Sequence, residues 1–250
     1  MNEEVHWDGI APEYTEEVLN VYEADQKGIL KKYIGKYADR NKTATDFGCG
    51  IGNGFPILAP AFKQVLGTDI SAECLNIAKK RGYKNVQLKK ADLTSARLKL
   101  PPADFGVCIN VLLLPKVDEN RKILRNVYKS LKPNASAIFV LPAMESILHT
   151  GWSMMEWYKK EGIAVKDIPK HEFSAFKAAK PDLLQGIIDI QGVPTKHYLQ
   201  TEIEVLFSEA GFKISTIDKI EYAWETEFDH PPEWLKAPYP WDWFVECRKV

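Results

Sequence analysis

The stretch that most restricts what this chain can fold into is Thr45-Asp46-Phe47-Gly48-Cys49-Gly50-Ile51-Gly52-Asn53-Gly54. Strand-like residues Thr43, Ala44 and Thr45 lead into an acid and then four glycines at alternate positions. Glycine has no Cβ, tolerates positive φ and lets main-chain N–H groups come close to a bound molecule. A glycine-rich turn leaving a strand is where doubly wound α/β folds bind nucleotides. The run therefore predicts an α/β fold with a ligand seated on the turn, and alone it leaves the ligand open.

What the run lacks narrows the choice. A dinucleotide fingerprint needs a third glycine or alanine three residues after the second. In the two possible frames that place is taken by Asn53 or by Phe55. A phosphate loop is absent too, because no lysine stands between Lys42 and Lys63. The order acid-x-Gly-x-Gly-x-Gly, read as Asp46, Gly48, Gly50 and Gly52, resembles motif I of the class I S-adenosylmethionine (SAM) dependent methyltransferases.

Downstream segments extend the resemblance over residues 42–141 and, less closely, 201–250. Val65–Asp69 reads as a second strand ending in a carboxylate, about twenty residues past the turn, where α/β nucleotide sites hold ribose hydroxyls. Ser71 caps the next helix and Gly82 stops it. Val86–Asp92 is a third strand, and Asp104–Leu113, nearly all apolar, a fourth strand buried on both faces. Asp118 starts a helix that Pro133 closes, ahead of a fifth strand at Ala135–Leu141. The resemblance implies that Asp69 binds the ribose, that Asp92 and Leu93 bind the adenine, and that Asn110 lies beside the methionine arm through its main chain. Tyr14, Cys49 and Ile70 are also expected against the cofactor. Cys49 itself is expected to be a small inward-facing side chain.

Residues 1–40 are expected to form a helical cap, with Thr15 capping a helix that carries Val18, Leu19, Tyr22, Ile29, Leu30, Tyr33 and Ile34. The alternation lapses over 142–200, a length that predicts a functional insertion, and the resemblance implies a mostly helical lid over the acceptor. Thr201 and Glu204 form a capping box ahead of a helix that Gly211 ends. Phe212–Ile220 and Asp242–Lys249 then make a closing pair of strands around an aromatic, proline-rich excursion. The expected fold is α/β, doubly wound, with a mostly parallel seven-stranded sheet, a C-terminal antiparallel hairpin and the lid, all as a single domain over 1–250.

With 33 basic and 34 acidic residues and no run of like charge, the chain lacks the footprint of a nucleic-acid binder. It has no apolar run of membrane-spanning length, and Cys49, Cys74, Cys108 and Cys247 show no metal-ligand spacing. No metal, no nucleic acid and no membrane are expected, and the protein is expected to be cytoplasmic with a small-molecule substrate. Methyl transfer from a sulfonium needs an aligned acceptor more than acid–base groups. If the acceptor arrives protonated, Glu145, His149, His171 and His197 in the insertion are the candidate bases. Tyr14, Trp152 and Trp224 could offer a π face to the sulfonium. Competing readings are an NAD(P)-dependent oxidoreductase and a SAM-binding module without catalysis. The acceptor atom and the oligomeric state carry no motif.

Overall fold

The computed structural model describes residues 2–250, and nine strands organise it. Seven form one sheet in the order β3-β2-β1-β4-β5-β9-β8. These are β1 (Asp39–Phe47), β2 (Phe62–Asp69), β3 (Val86–Lys90), β4 (Ala103–Ile109), β5 (Leu131–Pro142), β8 (Phe212–Glu221) and β9 (Trp241–Lys249). The first five pair in parallel, and β9 inserts antiparallel between β5 and β8. The two remaining strands, β6 (Ile187–Ile190) and β7 (Val193–Lys196), form a separate antiparallel hairpin.

Both faces of the central strands are covered, which is why their sequences run apolar without alternation. In β5, Ala137, Phe139 and Leu141 join the core on one face, while Ile138 and Val140 join the core on the other. The first core is closed by Ile123, Leu124 and Val127 of helix Val117–Lys129 and by Ile203, Leu206 and Phe207 of helix Gln200–Glu209. The second is closed by Ile29, Leu30 and Ile34 of helix Ile29–Tyr37 and by Leu58 of helix Phe55–Ala61. Each such side chain contributes roughly 1.5–3 kcal/mol when fully buried. Strand order reverses between β2-β1 and β4-β5, and the crevice of a doubly wound sheet opens at that switch point. No helix among the described residues is long and apolar enough to cross a membrane.

Several expected boundaries move. The long helix from Thr15 does not form: Val18 is extended and Gly28 has φ +65°, so the segment breaks into one-turn pieces at Tyr14–Glu17 and Val21–Ala24 before helix Ile29–Tyr37. A first helix, Glu3–Ile10, is capped by Asn2, whose Oδ1 accepts from Glu4 N–H and Val5 N–H. The Thr201/Glu204 box is unused because the helix starts two residues earlier, with Leu199 at the cap, and Glu145 Oε1 accepts the Gln200 N–H instead. Strand β4 stops at Ile109, since Asn110 turns to φ 50°. Pro133 lies inside β5 rather than closing the preceding helix, which ends at Lys129. Over 142–200, helix Met144–Lys160 and shorter turns are joined by the unforeseen β6–β7 hairpin.

One buried carboxylate ties the amino-terminal helices to the sheet. Glu246 on β9 is 1 % exposed and accepts from Lys36 Nζ at 2.5 Å, Tyr37 hydroxyl at 2.5 Å and Thr216 Oγ1 at 3.1 Å. Burial works to raise its pKa, but the hydrogen bonds from Lys36, Tyr37 and Thr216 outweigh burial and hold it below the ordinary glutamate value. A lowered folded pKa means stability that is present above the unfolded pKa and lost as pH falls through the folded one. Urea denaturation should therefore show Glu246→Gln about 1–3 kcal/mol less stable than the parent at pH 7, with the gap narrowing below about pH 4.

Candidate functional site

The turn after β1 is pinned to the end of β2. Gly48 N–H and Cys49 N–H both donate to Thr68 O, at 2.7 and 2.8 Å. Gly50 N–H then donates to Asp69 Oδ2 at 2.8 Å, while Ser71 N–H donates to Asp69 Oδ1 at 2.9 Å. Each carboxylate oxygen thus spends one lone pair on the backbone and keeps others for a ligand. Positive φ at Gly48 (+72°) and Gly50 (+51°) makes this path one for glycine, and a Cβ on Gly50 would come within 2.5 Å of the Tyr14 hydroxyl.

Above the turn lies a cavity of about 520 Å³, bounded by the ends of β1, β2 and β4, the loops that follow them, the amino-terminal segment and β7. Of the residues expected to bind a cofactor, Tyr14, Asp46, Gly48, Cys49, Asp69, Ile70, Asp92, Leu93 and Asn110 line it together. Gly50 and Gly52 belong to the turn but not to the lining. The wall beside Leu93 is fixed by Asn126, whose Nδ2 donates to Leu93 O at 2.8 Å and Ser95 O at 3.0 Å. Asp92 is exposed at the rim, its Oδ1 accepting from Thr94 N–H and Thr94 Oγ1.

The electrostatics are acidic. Burial first, then the charge of Asp69, pushes Asp46 up to about 7. Asp69 is raised too: burial leads, offset in part by the N–H groups of Ser71 and Gly50. Burial likewise carries the Cys49 thiol well above its ordinary value, which leaves it protonated and unreactive.

The four candidate bases are not brought to this cavity. Glu145 caps Gln200 and accepts from Trp243 Nε1 at 3.2 Å. The ring of His149 packs against Trp152, Trp224 and Trp241, with Nε2 3.0 Å from Pro238 O. His171 faces solvent, with 81 % of its side chain exposed. His197 is buried against Thr195 O, and that burial drops its pKa to about 4, so the ring stays neutral. Trp152 is exposed, Trp224 is buried with its Nε1 on Lys236 O, and neither joins the lining.

In their place the walls come from residues the sequence did not assign to the site: Val18, Leu19, Asn20 and Tyr22 from the amino-terminal segment, and Val193, Pro194 and Thr195 from β7. Asp8 fastens the amino-terminal segment, its Oδ1 accepting from Ser71 Oγ at 2.6 Å and Glu73 N–H at 3.2 Å. β7 is tied to the loop after β4 by Lys196 N–H to Leu113 O at 2.9 Å.

Comparison with known proteins agrees with this geometry. A family profile described as a methyltransferase domain matches residues 45–139. Methyltransferase cfoB of Aspergillus candidus is 30 % identical over 99 residues, covering 38 % of this chain and 31 % of that protein, so the match spans under a third of the relative's length. A SAM-dependent methyltransferase from Anabaena variabilis ATCC 29413 superposes with a TM-score of 0.67 at 13 % identity, over 100 % of this chain and 96 % of that one. The N-methyltransferase NodS from Bradyrhizobium japonicum WM9, solved with S-adenosylhomocysteine, gives 0.61 at 12 % identity over 100 % and 99 %. At these identities the structural likeness is one of fold.

Proposed function

Residues 45–139 belong to the class I SAM-dependent methyltransferase family, and on that premise we propose that the chain transfers a methyl group from SAM to a small-molecule acceptor. The observation that carries this is Asp69, a carboxylate aimed by two backbone N–H groups into a cavity that also holds the glycine turn and Asp92. That set fits a nucleoside: free lone pairs for two ribose hydroxyls, Leu93 and Ile70 for a flat base, and Asp46 for a positive charge. The small-molecule reading rests on the cavity's enclosure by the amino-terminal segment and β7, and on the balanced net charge.

When bound, SAM supplies an electrophilic methyl group on a sulfonium. The chain's part is to bind, align and exclude water. Asp69 and the turn fix one end of the ligand, and the apolar walls from Val18, Leu19 and Val193 keep water from the reacting line. The single-domain organisation over 1–250 and the insertion's part in covering the acceptor belong to the same proposal.

Calorimetric titration tests it. A cation arriving beside Asp46 lowers that group's pKa, and Asp46 stands at about 7 in the free protein. SAM should therefore bind at pH 7 with release of a proton, seen as a dependence of the enthalpy on buffer ionisation. Well above pH 7, where Asp46 is already ionised, the release should vanish. Labelled SAM incubated with a pool of small molecules should then yield a labelled product. No binding of SAM would refute the proposal, and binding with no transfer would favour a module without catalysis.

A further inference from the structure

Two of the segments that wall the cavity are fastened in opposite ways. On the β7 side the ties are buried and mostly main-chain. Lys196 N–H donates to Leu113 O at 2.9 Å, His197 N–H to Gly186 O at 2.7 Å and Tyr198 N–H to Pro142 O at 2.8 Å, while Met144 N–H donates back to Tyr198 O at 3.0 Å. Lys196 and Tyr198 are 0 % and 1 % exposed. Lys196 Nζ donates to Glu202 Oε2 at 2.7 Å and to His197 O at 2.8 Å, and the Tyr198 hydroxyl donates to Leu112 O at 2.9 Å. That wall is part of the body of the protein.

Residues 2–17 bring Trp7 and Tyr14 into the lining of the same cavity. Ala11 is the one buried residue among them, in a small cluster with Ile51 and Cys74. Among the described residues no main-chain to main-chain hydrogen bond joins this strap to the sheet or to the helices that cover it. Its polar ties are few. Glu4 pairs with Lys90 at 2.5 Å, an exposed ion pair of the kind that contributes little, and the Cys74 thiol lies 3.9 Å from Trp7 O. The remaining tie is Asp8, whose Oδ1 accepts from Ser71 Oγ at 2.6 Å and from Glu73 N–H at 3.2 Å. A segment with so few buried apolar contacts opens at far lower free energy than the whole domain unfolds. Val18 and Asn20 are extended and supply a hinge just before Val21, which is buried in the second core.

We propose that residues 2–17 are the door of the cavity, hinged at Val18–Asn20 and latched by Asp8 on Ser71, and that the β6–β7 hairpin stays in place while the door swings. The moving wall is therefore the amino-terminal strap and not the insertion over 142–200. Asp8 does not line the cavity. It is a positioning residue that holds Trp7 and Tyr14 over the glycine turn by way of Ser71. Ser71 also joins the latch to the seat, since its N–H donates to Asp69 Oδ1 at 2.9 Å while its hydroxyl donates to Asp8. Only the identity of the ligand is taken from the methyl-transfer reading above.

The chain carries its own reporter of opening. Cys74 is 1 % exposed against Ala11 and Trp7 O, whereas Cys108 on β4 and Cys247 on β9 are 0 % exposed in the first core. Burial pushes the Cys74 thiol up to about 11, so it is inert to N-ethylmaleimide until the door lifts. Labelling of the full chain, resolved by mass spectrometry, should modify Cys74 at least about tenfold faster than Cys108 and Cys247. Asp8→Ala should speed Cys74 by about a further tenfold and release S-adenosylhomocysteine about tenfold faster in stopped flow, with Cys108 and Cys247 at the parent rate. Asp8→Asn keeps a carbonyl acceptor for Ser71 and Glu73 and should fall between. A purely structural role for Asp8 would instead speed all three thiols together. Three thiols that label in step, a Cys74 rate that Asp8→Ala leaves unmoved because reagent arrives through a closed cavity, or unchanged release of S-adenosylhomocysteine would each overturn the proposal. A parent that labels as expected but does not bind S-adenosylhomocysteine would support the door and fail the methyl-transfer reading alone.

Discussion

Asp69→Ala is expected to weaken S-adenosylhomocysteine binding by about a hundredfold or more. Two hydrogen bonds from ribose hydroxyls to a charged acceptor are lost, each contributing about 1.5–3 kcal/mol, and 1.4 kcal/mol is a factor of ten. A second loss adds to the first. Gly50 N–H and Ser71 N–H are both held by this carboxylate, at 2.8 and 2.9 Å, so the alanine also frees the turn that the ligand sits on. Asp69→Asn separates the two contributions. Its single carbonyl oxygen can satisfy one of the two backbone donors, and its NH₂ must face the other. The asparagine variant should therefore fall between parent and alanine while melting below both. Asp69→Ala leaves the Gly50 and Ser71 N–H groups without their acceptor, so it should also melt below the parent, a loss offset in part because burial raises this carboxylate's pKa. Calorimetry on the three proteins checks the order, and an alanine variant that binds like the parent would remove Asp69 from the site.

That this residue's place beside the glycine turn could be read from the sequence, when the walls of the cavity could not, has a physical reason. Asp46, the glycine turn and Asp69 lie within one βαβ unit, where strand ends and turn chemistry are local properties of a short stretch. The succession of parallel strands and the closing antiparallel pair were legible for the same reason, since β4 and β5 are continuous apolar runs with turn residues between them. The walls made by Asn20, Tyr22 and Thr195 depend on contacts between segments far apart in the chain, and nothing local marks them. The β6–β7 hairpin hid behind an unusual turn. Gln191 and Gly192 both take positive φ, 51° and 87°, as a type I′ turn demands, but that first place is commonly Asn, Asp or Gly. The histidines of the insertion do not line the cavity, and an imidazole packed on indole rings, as His149 is, carries no mark in the sequence that separates it from a base.

Gly186→Ala should produce the largest loss of stability of any single methyl addition in the insertion. The residue has φ +70°, and a Cβ there would run into the backbone oxygen of His197, with Lys196 Nζ at 3.0 Å beyond it. Backbone cannot swing aside as a flexible side chain does. The left-handed conformation costs a non-glycine residue about 1–3 kcal/mol and overpacking a further 1–3 kcal/mol or so. At about 2–4 °C per kcal/mol for a chain of this size, the melting temperature should fall by roughly 5–20 °C. Gly192→Ala isolates the conformational part: its φ is +87°, yet nothing lies within 4 Å of the added Cβ. The gap between the two variants then measures the clash, and equal melting would refute it. The damage should also reach the site. Gly186 O accepts the His197 N–H at 2.7 Å, and Lys196 N–H holds Leu113 O at 2.9 Å, so pushing Gly186 off His197 loosens the strand that carries Val193, Pro194 and Thr195. Asp69 and the glycine turn are held by their own hydrogen bonds, none of them to the β6–β7 hairpin. Binding of S-adenosylhomocysteine should accordingly survive in Gly186→Ala below its melting point, while turnover of the acceptor falls.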